Sequence, residues 1–531
     1  MDRIEICPHE HPTQIDIDTA PLIIAPLSNS SQNQQMNRRI QFITLLVSAP
    51  LFAKGIEDRV VDHTLKNGLR VLVVERRVAP VVSLTIRFKA GSVDEQVGAT
   101  GIAHMLEHML FKGTQTIGTR DYNKEKPILD AINLASVAMD EEEMKGEKSD
   151  KEKLKKLTEE LKKLREQHEK VIIKDELEEL YNRTGAVGFN ASTNTDMTTY
   201  IVSLPANKVE LWMRLESDRM RSPVLREFYK ERSVILEERR TRTDDRPFGR
   251  LYENFKAAAF MTHPYRNPVI GWRSDIERLT ARQAESFRKT FYAPNNVVMA
   301  IVGDVKAQKI IKQIEKHFGD IQPQQLPPSL STKEPAQQGE RRIKVQFDAS
   351  PQMLIGFHKP NAPHPDDYVI DVIANLLSEG RTSRFHKELI EGKELAISAW
   401  ASNSWPGDRY DNLFVVSGTP RHPHTLAEVE VAVYEELDRL KKEPVPESEL
   451  VKIRNNVESS FIWGLGSNSG LARRLTYFVT IMGDWNYLVD YPQRIASITP
   501  ADIQRVAKAY FSASNRTVAI LVRPEKGTKK K

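Results

Sequence analysis

The sequence predicts an α+β protein made of two tandem homologous domains, each a mainly antiparallel β-sheet packed with helices. Three observations predict it. Residues 276–302 and 495–521 align without a gap at an offset of 219, with Ile276/Ile495, Thr280/Thr499, Lys289/Lys508, Asn296/Asn515, Ala300/Ala519 and Ile301/Ile520 identical. Both stretches read as a Thr-capped helix, a tight Asn turn and an apolar strand. The two halves also begin alike, with an apolar strand (Val81–Phe88; Gln352–Phe357) followed by an apolar helix (Gly101–Lys112; Tyr368–Ser378). Between them runs a Pro/Gln/Ser-rich stretch, Ile321 to Gly339, of linker composition. The expected division is therefore an N-terminal domain at 54–320, a linker at 321–342 and a C-terminal domain at 343–527.

Composition bounds the chemistry. The 531 residues are 40% hydrophobic and 28% charged, enough apolar material for sizeable cores and too polar for a polytopic membrane protein. Basic and acidic residues number 77 and 72, a balance too even for nucleic acid as the main partner. The one cysteine, Cys7, excludes an internal disulfide and any Cys-based metal site. A metal must be held by His, Asp or Glu.

The chain opens on a polar stretch, 1–35, without sustained periodicity. At Met36 the pattern changes. Arg38 and Arg39 precede an apolar run, Ile40 to Ala53, that ends in a small residue. This is the layout of a secretory signal peptide at 36–53, with 1–35 a mis-assigned extension before the true start; a buried strand or helix is the other reading. The run is shorter than the ~20 residues a spanning helix needs, so no stable membrane anchor is expected. Export to the periplasm or the medium follows.

The first strand and helix come next, and then a charged interruption, Asp121 to Gly185. Ser149 and Glu152 have capping-box spacing, and Leu154, Leu157, Leu161 and Leu164 step by three and four. Asp150 to Arg183 holds ten basic and ten acidic residues. The segment reads as a solvated amphipathic insertion, half of a helical hairpin, serving either as a structural arm or as a contact for a partner or substrate.

The strongest chemical signal is HMLEH, His104 to His108. Histidines four apart project from one helical face and can chelate a metal, zinc foremost. Glu107 lies beside them and can take a proton from an acidified water. The order is the inverted zinc-protease motif, His-x-x-Glu-His. Two histidines and a carboxylate in an otherwise apolar helix also need a reason to be there. Catalytic zinc takes three protein ligands, and the third candidate lies in EFYKERSVILEERRTR. There Glu231 and Glu238 are seven apart on one helical face, and Glu237 points elsewhere.

These motifs resemble those of the pitrilysin/insulinase family of zinc metallopeptidases, the inverzincins, which include the mitochondrial processing peptidases and bacterial two-subunit relatives. The resemblance covers about residues 57–525. It implies one zinc per chain, held by His104, His108 and Glu238, with Glu237 as the fallback ligand. It makes Glu107 the catalytic base and Glu231 a nearby carboxylate that supports catalysis. The interval from His108 to Glu238 exceeds the family's usual spacing, and the charged segment lies within it. After that segment Asn190, Ala191 and Ser192 match the family's substrate-binding edge strand, to which an extended peptide adds as one more strand. The implied architecture is two homologous domains forming half of a clamshell.

Aligning Gly113 with Gly380 sets Asp371, Ala374 and Asn375 where His104, Glu107 and His108 stand, so no second metal site is expected. Family members with a complete site carry an Arg and a Tyr seven apart in the C-terminal domain. Here Ile390 and Ile397 occupy those positions, and isoleucine neither donates a hydrogen bond nor carries charge. The expectation is a zinc endopeptidase acting on peptides or unfolded chains, completed by a homologous partner subunit, in a heterodimer or homodimer, that supplies the pair. The alternative is a non-catalytic scaffold or binding subunit of the same family.

Overall fold

The structure is a computed structural model and describes residues 55–524. The proposed signal peptide and the segment before it lie outside the described residues. From Arg59 onward the chain forms one unit.

The strands fall into two sheets. The first contains β1 (Val60–Thr64), β2 (Arg70–Glu75), β3 (Val81–Phe88), β4 (Val187–Thr193), β5 (Thr198–Pro205) and β6 (Val297–Gly303), in spatial order β1-β2-β6-β3-β5-β4. The second contains β7 (Arg341–Gln346), β8 (Gln352–Lys359), β9 (Ala396–Trp405), β10 (Asn412–Pro420) and β11 (Arg516–Val522), in order β7-β11-β8-β10-β9. Pairing is antiparallel throughout except for β2 with β6 and β7 with β11. Matching β2, β6, β3, β5 and β4 to β7, β11, β8, β10 and β9 makes the two orders identical. The duplication legible in sequence is thus a duplication of topology, with β1 added at one edge.

In chain order the helices are α1 (Ile102–Met109), α2 (Tyr122–Glu143), α3 (Lys151–Glu169), α4 (Glu176–Asn182), α5 (Val209–Arg221), α6 (Phe228–Arg239), α7 (Pro247–Ala259), α8 (Arg273–Ile276), α9 (Ala281–Phe291), α10 (Ala307–Phe318), α11 (Pro365–Ser378), α12 (Leu426–Lys442), α13 (Glu447–Gly466), α14 (Asn468–Met482), α15 (Asn486–Ala496) and α16 (Pro500–Tyr510). Among the described residues none is long and apolar enough to cross a membrane.

The repeated motif explains itself residue by residue. Thr280 and Thr499 each close a capping box at the start of α9 and α16. Asn296 donates to the carbonyls of Phe291 and Lys89, at 2.8 and 3.0 Å. Asn515 does the same to Tyr510 and His358, at 2.8 and 2.9 Å. Each asparagine ties the helix end to the neighbouring strand, so the identity of the residue follows from the geometry of the turn.

The charged insertion is a helical hairpin, with α3 packed on α2. Its cap differs from the expected Ser149. Asp150 is the N-cap, its carboxylate accepting from the Lys153 N–H at 3.0 Å, because the backbone turns helical one residue later than the spacing predicts. Arg226 and His168 both bind Glu125 of α2, and Arg232 grips Asp140 with two bonds of 2.6 and 2.8 Å. The arm is therefore anchored to α6 and to the segment just before it.

The halves exchange helices. Helix α7 packs against the second sheet, on β7, β8 and β11, while α14 packs against the first, on β3 and β6. Leu251, Phe255 and Ala259 of α7 share a core with Leu354, Leu413, Val415, Ala519 and Leu521. Gly356 permits this approach: a Cβ there would lie 2.5 Å from the Phe255 ring.

Candidate metal centre

Helix α1 begins in a left-handed turn that only glycine suits. Gly101 has φ +88°, and a Cβ on it would meet the Ile270 carbonyl oxygen at 2.5 Å, so glycine is required there. Glycine offers no capping side chain. Glu95 substitutes, its carboxylate accepting from the N–H groups of Gly101 and Ala103, both at 2.9 Å. The apolar face of α1, including Ile102, Met105, Leu106 and Met109, is buried in the first core.

That anchoring brings His104 and His108 together with their Nε2 atoms 3.3 Å apart. Helix α6 packs on α1 and supplies Glu238. Its Oε1 is 3.7 Å from His104 Nε2, and its Oε2 is 3.7 Å from His108 Nε2. One candidate ligand atom from each of the three residues lies within 4.8 Å of the others. Two nitrogens bound tetrahedrally at ~2.0–2.1 Å from zinc stand roughly 3.3 Å apart, so the donor set fits that ion. The Glu238 Oε2 is buried and accepts no hydrogen bond, a lone pair left for a cation.

Glu231 contacts the far side of the His108 ring. It binds His108 Nδ1 at 3.0 Å and Lys112 Nζ at 2.8 Å. Burial opposes its ionisation, but the His108 and Lys112 contacts outweigh burial and bring its carboxyl down to about 2. An ionised Glu231 takes the Nδ1 proton of His108 as a hydrogen bond and leaves Nε2 as the free donor atom. Its contact is thus with a candidate ligand, His108.

Glu107 is buried, and desolvation raises its carboxyl above the ordinary range, against hydrogen bonds from the Thr193 hydroxyl and N–H. One of its oxygens, Oε2, has no hydrogen-bond donor. A carboxyl whose proton affinity is raised by burial, beside a candidate cation site, is suited to moving protons. Glu237 is exposed and turned away, paired with Arg240 at 2.5 Å.

Asn190, Ala191 and Ser192 lie on β4, the edge of the first sheet, which contacts α1. Asn190 and Ser192 are exposed, and Ala191 is half-buried. The side of β4 away from β5 is unpaired among the described strands. Ile390 packs against the second core, and Ile397 is exposed at the start of β9.

Sequence reasoning missed Glu95, Lys112, Thr193 and Arg242, whose guanidinium reaches Glu238 Oε1 at 2.5 Å. The i, i+4 spacing of Glu238 and Arg242 could have signalled the last. The others touch the centre only through the tertiary fold.

Comparison with known proteins accords with this geometry. The model described as "Insulinase (Peptidase family M16)" matches residues 70–145 and 172–272, and that described as "Peptidase M16 inactive domain" matches 278–457. The interruption leaves α3 and its flanking turns outside the match. The chain is 30% identical over 486 residues to the zinc protease PqqE of Helicobacter pylori, covering 90% of this chain and 96% of the relative. It superimposes on the crystal structure of a protease from Helicobacter pylori with TM-score 0.73 and 29% identity, over 87% of this chain and 99% of that one. The periplasmic protease PqqL of Escherichia coli shares the fold at TM-score 0.66 and 16% identity, and there this chain covers 48% of the longer molecule. With a zinc protease matched along nearly its whole length and a two-domain fold shared with solved relatives, this chain belongs to the insulinase (M16) family of peptidases.

Proposed function

We propose that the chain is a zinc-dependent endopeptidase acting on extended or unfolded peptides. The observation that carries the reading is the convergence of His104, His108 and Glu238 within 4.8 Å, beside the buried Glu107 and an open sheet edge. A zinc ion held by these three residues would polarise a scissile carbonyl and acidify water. The chain's own groups do the rest. The backbone of Asn190, Ala191 and Ser192 pairs with the substrate as an added strand. Glu107 accepts the proton of the attacking water and delivers it to the leaving amine. Glu231 keeps His108 in the tautomer that presents Nε2. The relatives named as zinc proteases support the choice of metal.

Ile390 and Ile397 leave the second domain without polar groups at the positions where the family places its Arg and Tyr. We read the chain as the metal-bearing half of an assembly whose homologous partner supplies them. The longer PqqL chain, of which this chain spans about half, supports a two-part architecture. Met36 to Ala53 supports export.

The test is zinc content plus cleavage of a quenched peptide, with and without chelator. Stoichiometric zinc and chelator-sensitive cleavage, weak alone and strong with an Arg/Tyr-bearing partner, are expected. Full activity of the isolated chain on dilution to monomer would overturn the partner. A non-catalytic role for the chain is the second reading, favoured by the match of residues 278–457 to an inactive-domain model. Zinc-loaded protein without cleavage in any combination would establish it.

A further inference from the structure

Arg242 lies on a single π-helical turn, Arg240–Asp244, that continues α6 beyond the proposed ligand Glu238. The three nearest arginines divide their partners. Arg239 is buried against Glu253 at 2.7 Å and the Gly271 carbonyl at 2.8 Å. Arg240 points outward to Glu237 and Asp245. Arg242 alone of the three turns to the metal cluster, with its Nη1 2.5 Å from Glu238 Oε1.

The two oxygens of Glu238 thereby have different environments. Each oxygen lies 3.7 Å from one imidazole Nε2, but Oε1 is held by a guanidinium, whereas Oε2 is buried without a hydrogen-bond donor. The backbone of the turn is also fixed. Gly249 of α7 packs so closely that a Cβ there would lie 2.3 Å from the Arg242 carbonyl oxygen and 2.9 Å from Thr243 Cα. Thus α7, seated on the second sheet, sets where the Arg242 side chain starts.

We propose that Arg242 is a positioning residue for the metal: it clamps Glu238 Oε1 so that Oε2 is presented to the ion as a single, pre-oriented ligand atom. The physical reason is twofold. A carboxylate free to rotate loses conformational entropy on binding and can swing to bidentate coordination, whereas one already hydrogen-bonded through its other oxygen does neither. A side chain one-third exposed can hold this bond without the cost of full burial. The proposal rests on the zinc reading of the cluster, but not on peptide cleavage.

The test is zinc affinity, measured by competition with a chromophoric chelator on the full chain. Arg242→Gln should weaken binding by about 10–100-fold, the usual effect of removing a group that orients a ligand. Arg242→Lys, which keeps the charge, should recover most of the loss. Arg240→Gln, on the same turn but facing away, should bind zinc as the wild type does. With cobalt in place of zinc, Arg242→Gln should shift the visible absorption bands, because Glu238 is free to change its coordination. Thermal melting without metal checks that each variant folds.

Unchanged or tighter zinc binding by Arg242→Gln overturns the proposal, since it would mean that Arg242 is a bystander or competes with the ion. So does a Lys variant as weak as Gln, or an Arg240→Gln variant that loses as much. If Arg242→Gln fails to fold, Arg242→Met, which keeps the aliphatic stem and removes the guanidinium, is measured in its place and should show the same loss. Wild-type protein that binds no zinc sinks both this proposal and the functional reading. Wild-type protein that binds zinc but cleaves nothing sinks only the latter.

Discussion

The two halves hold the same helices at the same addresses and use them differently. In the first, α1 packs on α6; in the second, α11 packs on α13. The offset of 219 that aligns the repeats sets Leu450 opposite Glu231 and Val457 opposite Glu238. Leu450 is buried in the second core, where its counterpart binds His108. On α11, Asp371 stands opposite His104, and its oxygens are already occupied. Asn403 Nδ2 donates to Oδ1 at 2.8 Å, and the Tyr491 hydroxyl donates to Oδ2 at 3.1 Å. Asn403 also reaches Asp367, which Lys359 pairs with. One half converges two imidazoles and a carboxylate on a point, and the other closes a polar network. A few side chains separate a candidate metal centre from a satisfied polar core, and the fold permits both.

The comparison breaks most sharply at Glu107, whose counterpart is Ala374. Glu107→Gln should retain zinc and lower peptide hydrolysis by about 10²–10⁴-fold, the typical contribution of a general base. Near wild-type turnover by this variant would remove Glu107 from the mechanism. Next comes the ligand itself. Glu238→Gln should lose much of its zinc, whereas Glu237→Gln and Val457→Ala should not, as metal analysis of the purified variants would show. Greater loss from Glu237→Gln would move the ligand by one residue.

Much of this was legible before the structure because it is written in local spacing. Histidines four apart and glutamates seven apart fix a shared helical face in any helix. The repeat was legible because Thr280/Thr499 and Asn296/Asn515 perform local tasks that tolerate few residues. Other parts were not legible. Glu95 caps α1 from outside the helix, and no spacing marks it. Gly101 has no room for a side chain because of the Ile270 carbonyl, which is remote in sequence. The exchange of α7 and α14 between the sheets is a property of long-range packing, and amphipathic patterns do not say which sheet a helix covers. The cap of α3 falls one residue later than the spacing predicts because Ser149 and Asp150 are both good caps, and only backbone geometry chooses between them.

That exchange gives a third test. Helix α7 meets the second sheet through Gly356, where a methyl group would lie 2.5 Å from the Phe255 ring and 3.3 Å from Leu413. Helix α14, which buries Leu471, Leu475 and Val479, adds a cation–π contact to the first sheet, with the Arg87 guanidinium 5.8 Å from the Tyr477 ring centre. Gly356→Ala should therefore cost about 1–3 kcal/mol, the range for overpacking a core. Denaturant unfolding would measure it. A neutral result would show that α7 can shift on the sheet to make room for the methyl group.

The smallest effect concerns the closed network. Burial first, and the neighbouring Asp367 second, push the Asp371 carboxyl up to about 7, despite the hydrogen bonds from Asn403 and Tyr491. The unfolded chain releases that proton near the ordinary value of 3.8. Between these two values the folded state binds more protons than the unfolded one, so this group's contribution to stability is complete below 3.8 and is lost as pH rises toward 7. Asp371→Asn removes the titration. The amide can donate to the Tyr491 hydroxyl, which can accept as well as donate, so the network stays closed. Unfolding of the variant, followed from pH 4 to 7, should depend less on pH than that of the wild type, with the gap in its favour widening as pH rises. Zinc content and peptide cleavage should not change, because in this half the residue opposite His104 is sealed off from any ion. A loss of zinc in Asp371→Asn would contradict the assignment of all metal chemistry to α1 and α6, whereas an unchanged pH slope would show that Asp371 is ionised and fully compensated by its donors.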